Sequence, residues 1–212
     1  MPQYENREWT RFWCEKANNK ELPRVLLIGD SITEGYYGDV SRILDGLIYA
    51  DSITTSMAIN HDMYQNGIKW FASSFDQKYA MIHFNNGLHG FHGDIHQYTE
   101  AYEKTVDFLL SSFQSAVLIL ATSTPVYLSG TNRVIDRAKN DIVLERNEAV
   151  RDIARKHRLT VDDLYELTMG NDDWRIDDGF HYNEIGRAKQ AKQVTSFIKS
   201  YSGCNTDNIN DL

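Results

Sequence analysis

The stretch Val25-Leu26-Leu27-Ile28-Gly29-Asp30-Ser31-Ile32-Thr33-Glu34-Gly35 decides how this chain is read. Four apolar residues run directly into Gly-Asp-Ser. The run is too short for a helix, and its side chains suit a strand covered on both faces. An abrupt stop follows, with a hydroxyl at its edge. In an open α/β sheet, ligands bind just beyond the carboxyl ends of the strands, which is where Ser31 falls. Asp and Ser are also common helix caps. The turn therefore supports two readings, a capped helix start and a placed nucleophile.

Outward from this turn, apolar strands alternate with helical patterns. Residues 48–59, 79–84, 116–121 and 159–161 read as further strands. Helices are expected over 39–47, 67–75, 95–113, 140–157 and from Asn183 onward. The 95–113 helix carries Tyr98, Tyr102, Val106 and Leu109 on one stripe. This alternation implies an α/β fold, about five parallel strands with helices on both faces. The chain reads as a single domain over residues 1–212, with residues 1–22 as an N-terminal helical extension and 203–212 as a loose polar tail. The loops leaving the strand ends, around Ser31, Asn60, Asn86, Thr122 and His181, would share one rim.

Composition narrows the function. Twenty-two basic residues stand against 30 acidic ones, a net charge of −8. That argues against nucleic acid as the partner, since phosphate-backbone binding needs a basic surface. No run approaches the ~20 apolar residues of a membrane span, and the first residues show no apolar signal core, so a soluble chain is expected and its compartment is left open. Cys14 and Cys204 lie near opposite ends, and two unpaired thiols are expected rather than a disulfide. His83, His89, His92 and His96 cluster, but Gly87, Gly90 and Gly93 interrupt any helix that would align them. No metal site and no cofactor are expected, and His83, inside a strand, reads as a hydrogen-bonded core residue. Neither a Gly-x-Gly-x-x-Gly pattern nor a phosphate loop is present.

A serine hydroxyl needs a base to take its proton and donors for the oxyanion that forms. Histidine suits the first role, and a carboxylate can fix its tautomer. Asp178-Gly179-Phe180-His181 offers both just before the last helix. Taken alone, that segment can equally be an Asx turn leading into a helix.

Gly29-Asp30-Ser31-Ile32 near the start and Asp178-Gly179-Phe180-His181 near the end resemble the first and last blocks of the SGNH (GDSL-type) hydrolase superfamily. The resemblance runs over roughly residues 24–200. It implies a flavodoxin-like three-layer α/β/α sandwich and an esterase or acylhydrolase. It further implies Ser31 as nucleophile, His181 as general base and acid, and Asp178 as the orienting carboxylate. The Ser31 backbone N–H would be one oxyanion donor. The middle blocks depart from the family pattern. The loop after the second strand, Ser56-Met57-Ala58-Ile59-Asn60, has no Gly, so Asn60 is taken as the stand-in donor. The family's Gly-x-Asn-Asp is replaced by Asn85-Asn86-Gly87-Leu88-His89, where Asn86 is the expected side-chain donor and His89 the alternative.

Asp30, His89 and Thr124 are candidate pocket residues, and Tyr36, Tyr37, Phe91 and Tyr127 are aromatics flanking the rim. The expected substrate is a small-molecule or glycan ester, with an acetyl ester of a carbohydrate favoured. A non-catalytic binding protein on the same fold and a lipid or thioester acylhydrolase are the alternatives.

Overall fold

The strand that carries the Gly-Asp-Ser turn lies at the centre of the molecule. In the computed structural model, which describes residues 4–131 and 133–202, it is β2 (Arg24–Gly29) and is buried along its whole length. Val25 and Leu27 point into one hydrophobic layer, Leu26 and Ile28 into the other. An unbroken apolar run is what a strand covered on both faces requires.

The other strands are β1 (Thr10–Trp13), β3 (Tyr49–Thr55), β4 (Met81–Phe84), β5 (Val117–Ala121) and β6 (Thr160–Asp162). They form one six-stranded sheet in the order β1-β3-β2-β4-β5-β6. All neighbours are parallel except β1, which runs antiparallel to β3. Helices α1 (Ser31–Leu44) and α6 (Glu184–Ser202) pack on one face. Helices α2 (Met63–Phe75), α3 (Ile95–Ser112) and α4 (Arg137–His157) cover the other. A short helix, α5 (Leu164–Thr168), follows β6. The result is a three-layer α/β/α sandwich. From β2 the chain moves first to one side, into β3, and then to the other, into β4. That reversal opens a crevice at the carboxyl end of β2, so topology alone makes Ser31 the first residue beyond the switch point.

The five parallel strands, β2 to β6, are those expected, and one expectation about the architecture is corrected: the N-terminal segment forms a sixth, antiparallel edge strand. Thr10-Arg11-Phe12-Trp13 alternates inward and outward, a period of two. Phe12 turns in to stack on Phe71 and meet Trp70 edge-on, while Arg11 and Trp13 face out. The aromatic spacing that resembles a helical stripe is a strand pleat. Likewise α1 begins at Ser31, not at residue 39, because the Asp30 cap outweighs the poor helix propensity of Gly35 and Gly38. The stripe of Tyr98, Tyr102, Val106 and Leu109 on α3 is buried as expected.

A buried ion pair fastens the N-terminal segment to the sheet. Arg24 Nη1 donates to Asp51 Oδ1 at 2.8 Å, and both side chains are buried. Arg24 Nη2 donates to the carbonyls of Glu15, Lys16 and Asn19. The Glu15 N–H and the Tyr79 hydroxyl complete the shell around Asp51. Burial pushes the Asp51 carboxyl up, and these donors only partly offset it. Cys14 is a free, partly buried thiol beside this pair; Cys204 lies outside the described residues.

Candidate active site

The turn after β2 performs two jobs at once. Asp30 is the N-cap of α1, and its Oδ1 accepts the Ile32 N–H at 2.9 Å. Ser31 is the first helical residue. Its N–H belongs to the group that an α-helix leaves without intrahelical partners, at the positive end of the helix dipole. The turn is tight enough that a Cβ on Gly29 would lie 2.0 Å from Thr33 Oγ1. The cap and the exposed hydroxyl are therefore adjacent parts of one structure. Asp30 itself is fully buried and, contrary to expectation, does not line the cavity at Ser31; its side chain is committed to the cap.

The partners arrive on the loop before α6. Asp178 Oδ1 accepts the backbone N–H groups of Phe180 and His181, both at 2.9 Å. Its Oδ2 lies 2.5 Å from His181 Nδ1, and His181 Nε2 lies 2.8 Å from Ser31 Oγ. One carboxylate oxygen closes an Asx turn while the other orients the imidazole, so both sequence readings of this segment describe the same geometry. With Nδ1–H donating to Asp178, Nε2 is left to accept from the serine hydroxyl. Partial burial pulls the Asp178 carboxyl up, but the two backbone donors and the His181 ring outweigh it and hold it below the usual carboxylate range.

Gly179 makes the turn possible. Its φ is +86°, and a Cβ there would lie 2.2 Å from the Tyr127 carbonyl oxygen. Gly179→Ala must displace the Asp178–His181 turn. With Ser31 unmoved, kcat/KM on an ester is expected to fall about 100-fold; steady-state rates against the parent protein measure this. Beneath the loop, buried Arg175 donates to Pro125 O and Tyr182 Oη and stacks on the Tyr127 ring at 3.9 Å.

Ser31 and His181 open onto a cavity of about 360 Å³. Its lining combines apolar Leu88, Phe91 and Phe180 with polar Glu5, His89, His92 and Lys139. His89 is among the cavity residues. Thr124 is not. It is buried with the rest of Thr122-Ser123-Thr124-Pro125 behind the loop. Tyr36, on the buried face of α1, and Tyr127 are core residues rather than rim aromatics.

The expected oxyanion residues, Asn60 through its backbone N–H and Asn86 through its side chain, are placed differently. Asn60 is exposed and lines a separate polar cleft with Gln65, Asn66, Gln97, Glu100 and Lys104. After β3 the chain turns at residues 58–61, with the His61 N–H on the Ala58 carbonyl, and this carries Asn60 outward. Asn86 is buried, and its Nδ2 donates to Met57 O at 3.1 Å while its carbonyl accepts the Tyr98 hydroxyl. It does not line the Ser31 cavity. Asn85 Nδ2 is held by Ala121 O and Ser123 Oγ. His83 is a core residue, with its Nε2 3.0 Å from buried Asp162. Among the described residues no three His, Cys, Asp or Glu side chains are grouped so as to hold a metal ion, and no helix is long and apolar enough to cross a membrane.

The sequence reading missed Glu5, Leu88, Lys139 and Phe180 as cavity residues, and Arg146 behind them. Buried Arg146 donates to the carbonyls of Gly87, His89 and Gly90 at 3.0, 2.7 and 2.6 Å. Phe180 had a signal, since it sits between Gly179 and His181. Leu88 likewise sits within the Asn85–His89 stretch singled out in the sequence, whereas Glu5, Lys139 and Arg146 are brought in from remote elements and had none.

Comparison with known proteins agrees with this geometry. The model of the GDSL-like lipase/acylhydrolase family matches residues 27–189. No curated protein sequence matches the chain. Among solved structures, a GDSL-like lipase from Bacteroides thetaiotaomicron superposes with a TM-score of 0.65 at 14% identity, over 84% of this chain and 88% of that one. The acetyl xylan esterase AlAXEase gives 0.64 at 18% identity, over 82% and 99%. A carbohydrate acetylesterase family member from Sinorhizobium meliloti gives 0.65 at 13% identity, over 85% and 99%. At these identities the structural likeness establishes the fold.

Proposed function

Because this chain belongs to the GDSL-like lipase/acylhydrolase family and is an ester-hydrolysing enzyme, we propose that it cleaves a short-acyl ester, an acetyl ester of a carbohydrate, through an acyl-enzyme on Ser31. His181 takes the proton of the Ser31 hydroxyl as Oγ attacks the ester carbonyl. The oxyanion of the tetrahedral intermediate is stabilised by the Ser31 N–H at the start of α1. His181 then gives its proton to the leaving alcohol, and the acyl group stays on Oγ. Water, deprotonated by the same imidazole, attacks the acyl-enzyme, releases the acid and restores the hydroxyl. Asp178 holds the imidazole tautomer and favours the imidazolium that forms.

The observation that supports this reading most is the hydrogen-bonded line from Asp178 Oδ2 through His181 to Ser31 Oγ, ending in a cavity. The limited volume of that cavity and its mixed apolar and polar walls support a short acyl group on a hydroxylated leaving group. Two of the structural neighbours described above are acetylesterases by name, which points the same way.

The test compares kcat/KM for p-nitrophenyl acetate, butyrate and octanoate, and measures acetate release from acetylated xylo-oligosaccharide. Falling rates with chain length, with acetate released, support the proposal. Preference for octanoate with no acetate release turns it towards a lipid acylhydrolase.

A further inference from the structure

The cavity wall that faces Ser31 belongs to a loop held from two sides by charges supplied from far away in sequence. From inside, Arg146 on α4 gathers the Gly87, His89 and Gly90 carbonyls. From outside, Glu5 reaches the same loop. Its Oε1 accepts the Gly90 N–H at 3.2 Å and lies 3.5 Å from His89 Nδ1. Leu88 and Phe91, apolar residues of the cavity lining, are carried between these two attachments.

Glu5 gets there by topology. Because β1 runs antiparallel to β3, with Thr10 opposite Thr55, the residues before β1 emerge at the carboxyl edge of the sheet. They are tied down on that edge. The Trp9 N–H donates to Ser56 Oγ, the Ser56 N–H donates to the Trp9 carbonyl, and Ser56 Oγ reaches Glu8 Oε2. The Glu5 N–H in turn donates to Glu8 Oε1 at 2.8 Å, which turns the chain over the rim. Residues 4–13 themselves precede residues 27–189, the span matched by the family model. From this segment Glu5 reaches the cavity at Ser31.

We propose that residues 4–13 form a strap whose Glu5 carboxylate clamps the 87–91 loop and limits the length of acyl chain the cavity accepts. The proposal rests on Ser31 being the nucleophile. A carboxyl group in the same lining as Leu88 and Phe91 makes the cavity a poor place for further methylenes, which would have to desolvate it. Held in place, the same loop keeps the wall close to Ser31. Glu5 is here a positioning and specificity residue; it takes no part in proton transfer.

The experiment uses the full chain with Glu5→Ala and Glu5→Gln. Hydrogen–deuterium exchange of peptides covering residues 87–93 is measured beside kcat/KM for p-nitrophenyl acetate and octanoate. In Glu5→Ala the 87–93 peptides exchange about tenfold faster, while peptides of β2 and β4 do not change. The octanoate-to-acetate ratio of kcat/KM rises at least about fivefold, since added methylenes gain apolar surroundings. Glu5→Gln keeps an oxygen acceptor for the Gly90 N–H, so its exchange stays near that of the parent. Unchanged exchange in Glu5→Ala overturns the clamp. Faster exchange with an unchanged ester ratio overturns the role in chain-length selection. Failure of the Ser31 reading is seen separately, as hydrolysis that survives in Ser31→Ala; the exchange result then still decides whether the strap clamps the loop.

Discussion

Ser31→Ala is expected to lower kcat for p-nitrophenyl acetate by about 10⁴-fold or more, with little change in melting temperature. The side chain removed is a single hydroxyl on the first turn of α1, and the Asp30 cap that holds the helix does not depend on it. What disappears is the only oxygen within hydrogen-bonding reach of His181 Nε2 among the described contacts. His181→Ala should cost about as much, and the double variant little more, because nucleophile and base act as one unit. A fluorophosphonate probe should label the parent at Ser31 and leave both variants unlabelled. Labelling at another residue would remove Ser31 from the mechanism.

Asp178→Asn belongs to the same experiment and shows the sign of the pH effect. The Asp178 carboxyl is held below the usual range, so folding favours its ionised form. That contribution is present above the ordinary Asp value of ~3.9 and is lost only as pH falls through the lower folded value. The carboxylate therefore stays charged throughout mildly acid and neutral conditions, and it is not the group whose protonation removes activity there. Asp178→Asn should lower the plateau of the kcat/KM profile, because the imidazole tautomer and the imidazolium both lose their partner.

The largest loss of stability is expected at Arg146. Its guanidinium is buried, lies over the rings of Phe91 and Tyr98, and has no carboxylate partner among the described residues. Burial pushes its pKa down, yet the planar fork can still offer separate N–H groups to three carbonyl oxygens. Arg146→Met keeps much of the apolar stem but strands those three acceptors. Each unsatisfied buried group costs roughly 1–3 kcal/mol, so urea unfolding should show a loss of about 3–5 kcal/mol. Arg146→Lys should recover only part of it, since an ammonium cannot span Gly87, His89 and Gly90 with the same geometry. A loss below about 1 kcal/mol for Arg146→Met would mean that the loop is held by other contacts.

The parts of this protein that could be read from residues share a property: their chemistry is local. Residues 25–28 are an uninterrupted apolar run, and the cap at Asp30 lies one residue from the hydroxyl it presents. Asp178, Gly179 and His181 lie within four positions, so their turn could be inferred before the fold was known. The N-terminal segment misled because Trp9, Phe12 and Trp13 satisfy helical spacing, while the pairing with β3 that makes them a strand is a contact across some forty residues. Asn60 misled for a similar reason. Position in sequence placed it after a strand, but the turn at Ala58 and His61 sends it to another cleft.

The sequence by itself determined that a serine ends a buried strand, that an Asp-x-x-His segment precedes the last helix, and that no basic surface, phosphate loop or membrane run competes with that reading. These follow from covalent neighbours and from short-range backbone preferences. Only the tertiary structure decided that Ser31 Oγ meets His181 Nε2 across 150 positions, at 2.8 Å. It also decided that Asn86 turns to Met57, and that Glu5 and Arg146 reach one loop from opposite sides. Such meetings depend on strand order and on which face each helix covers, and no local pattern in the chain encodes them.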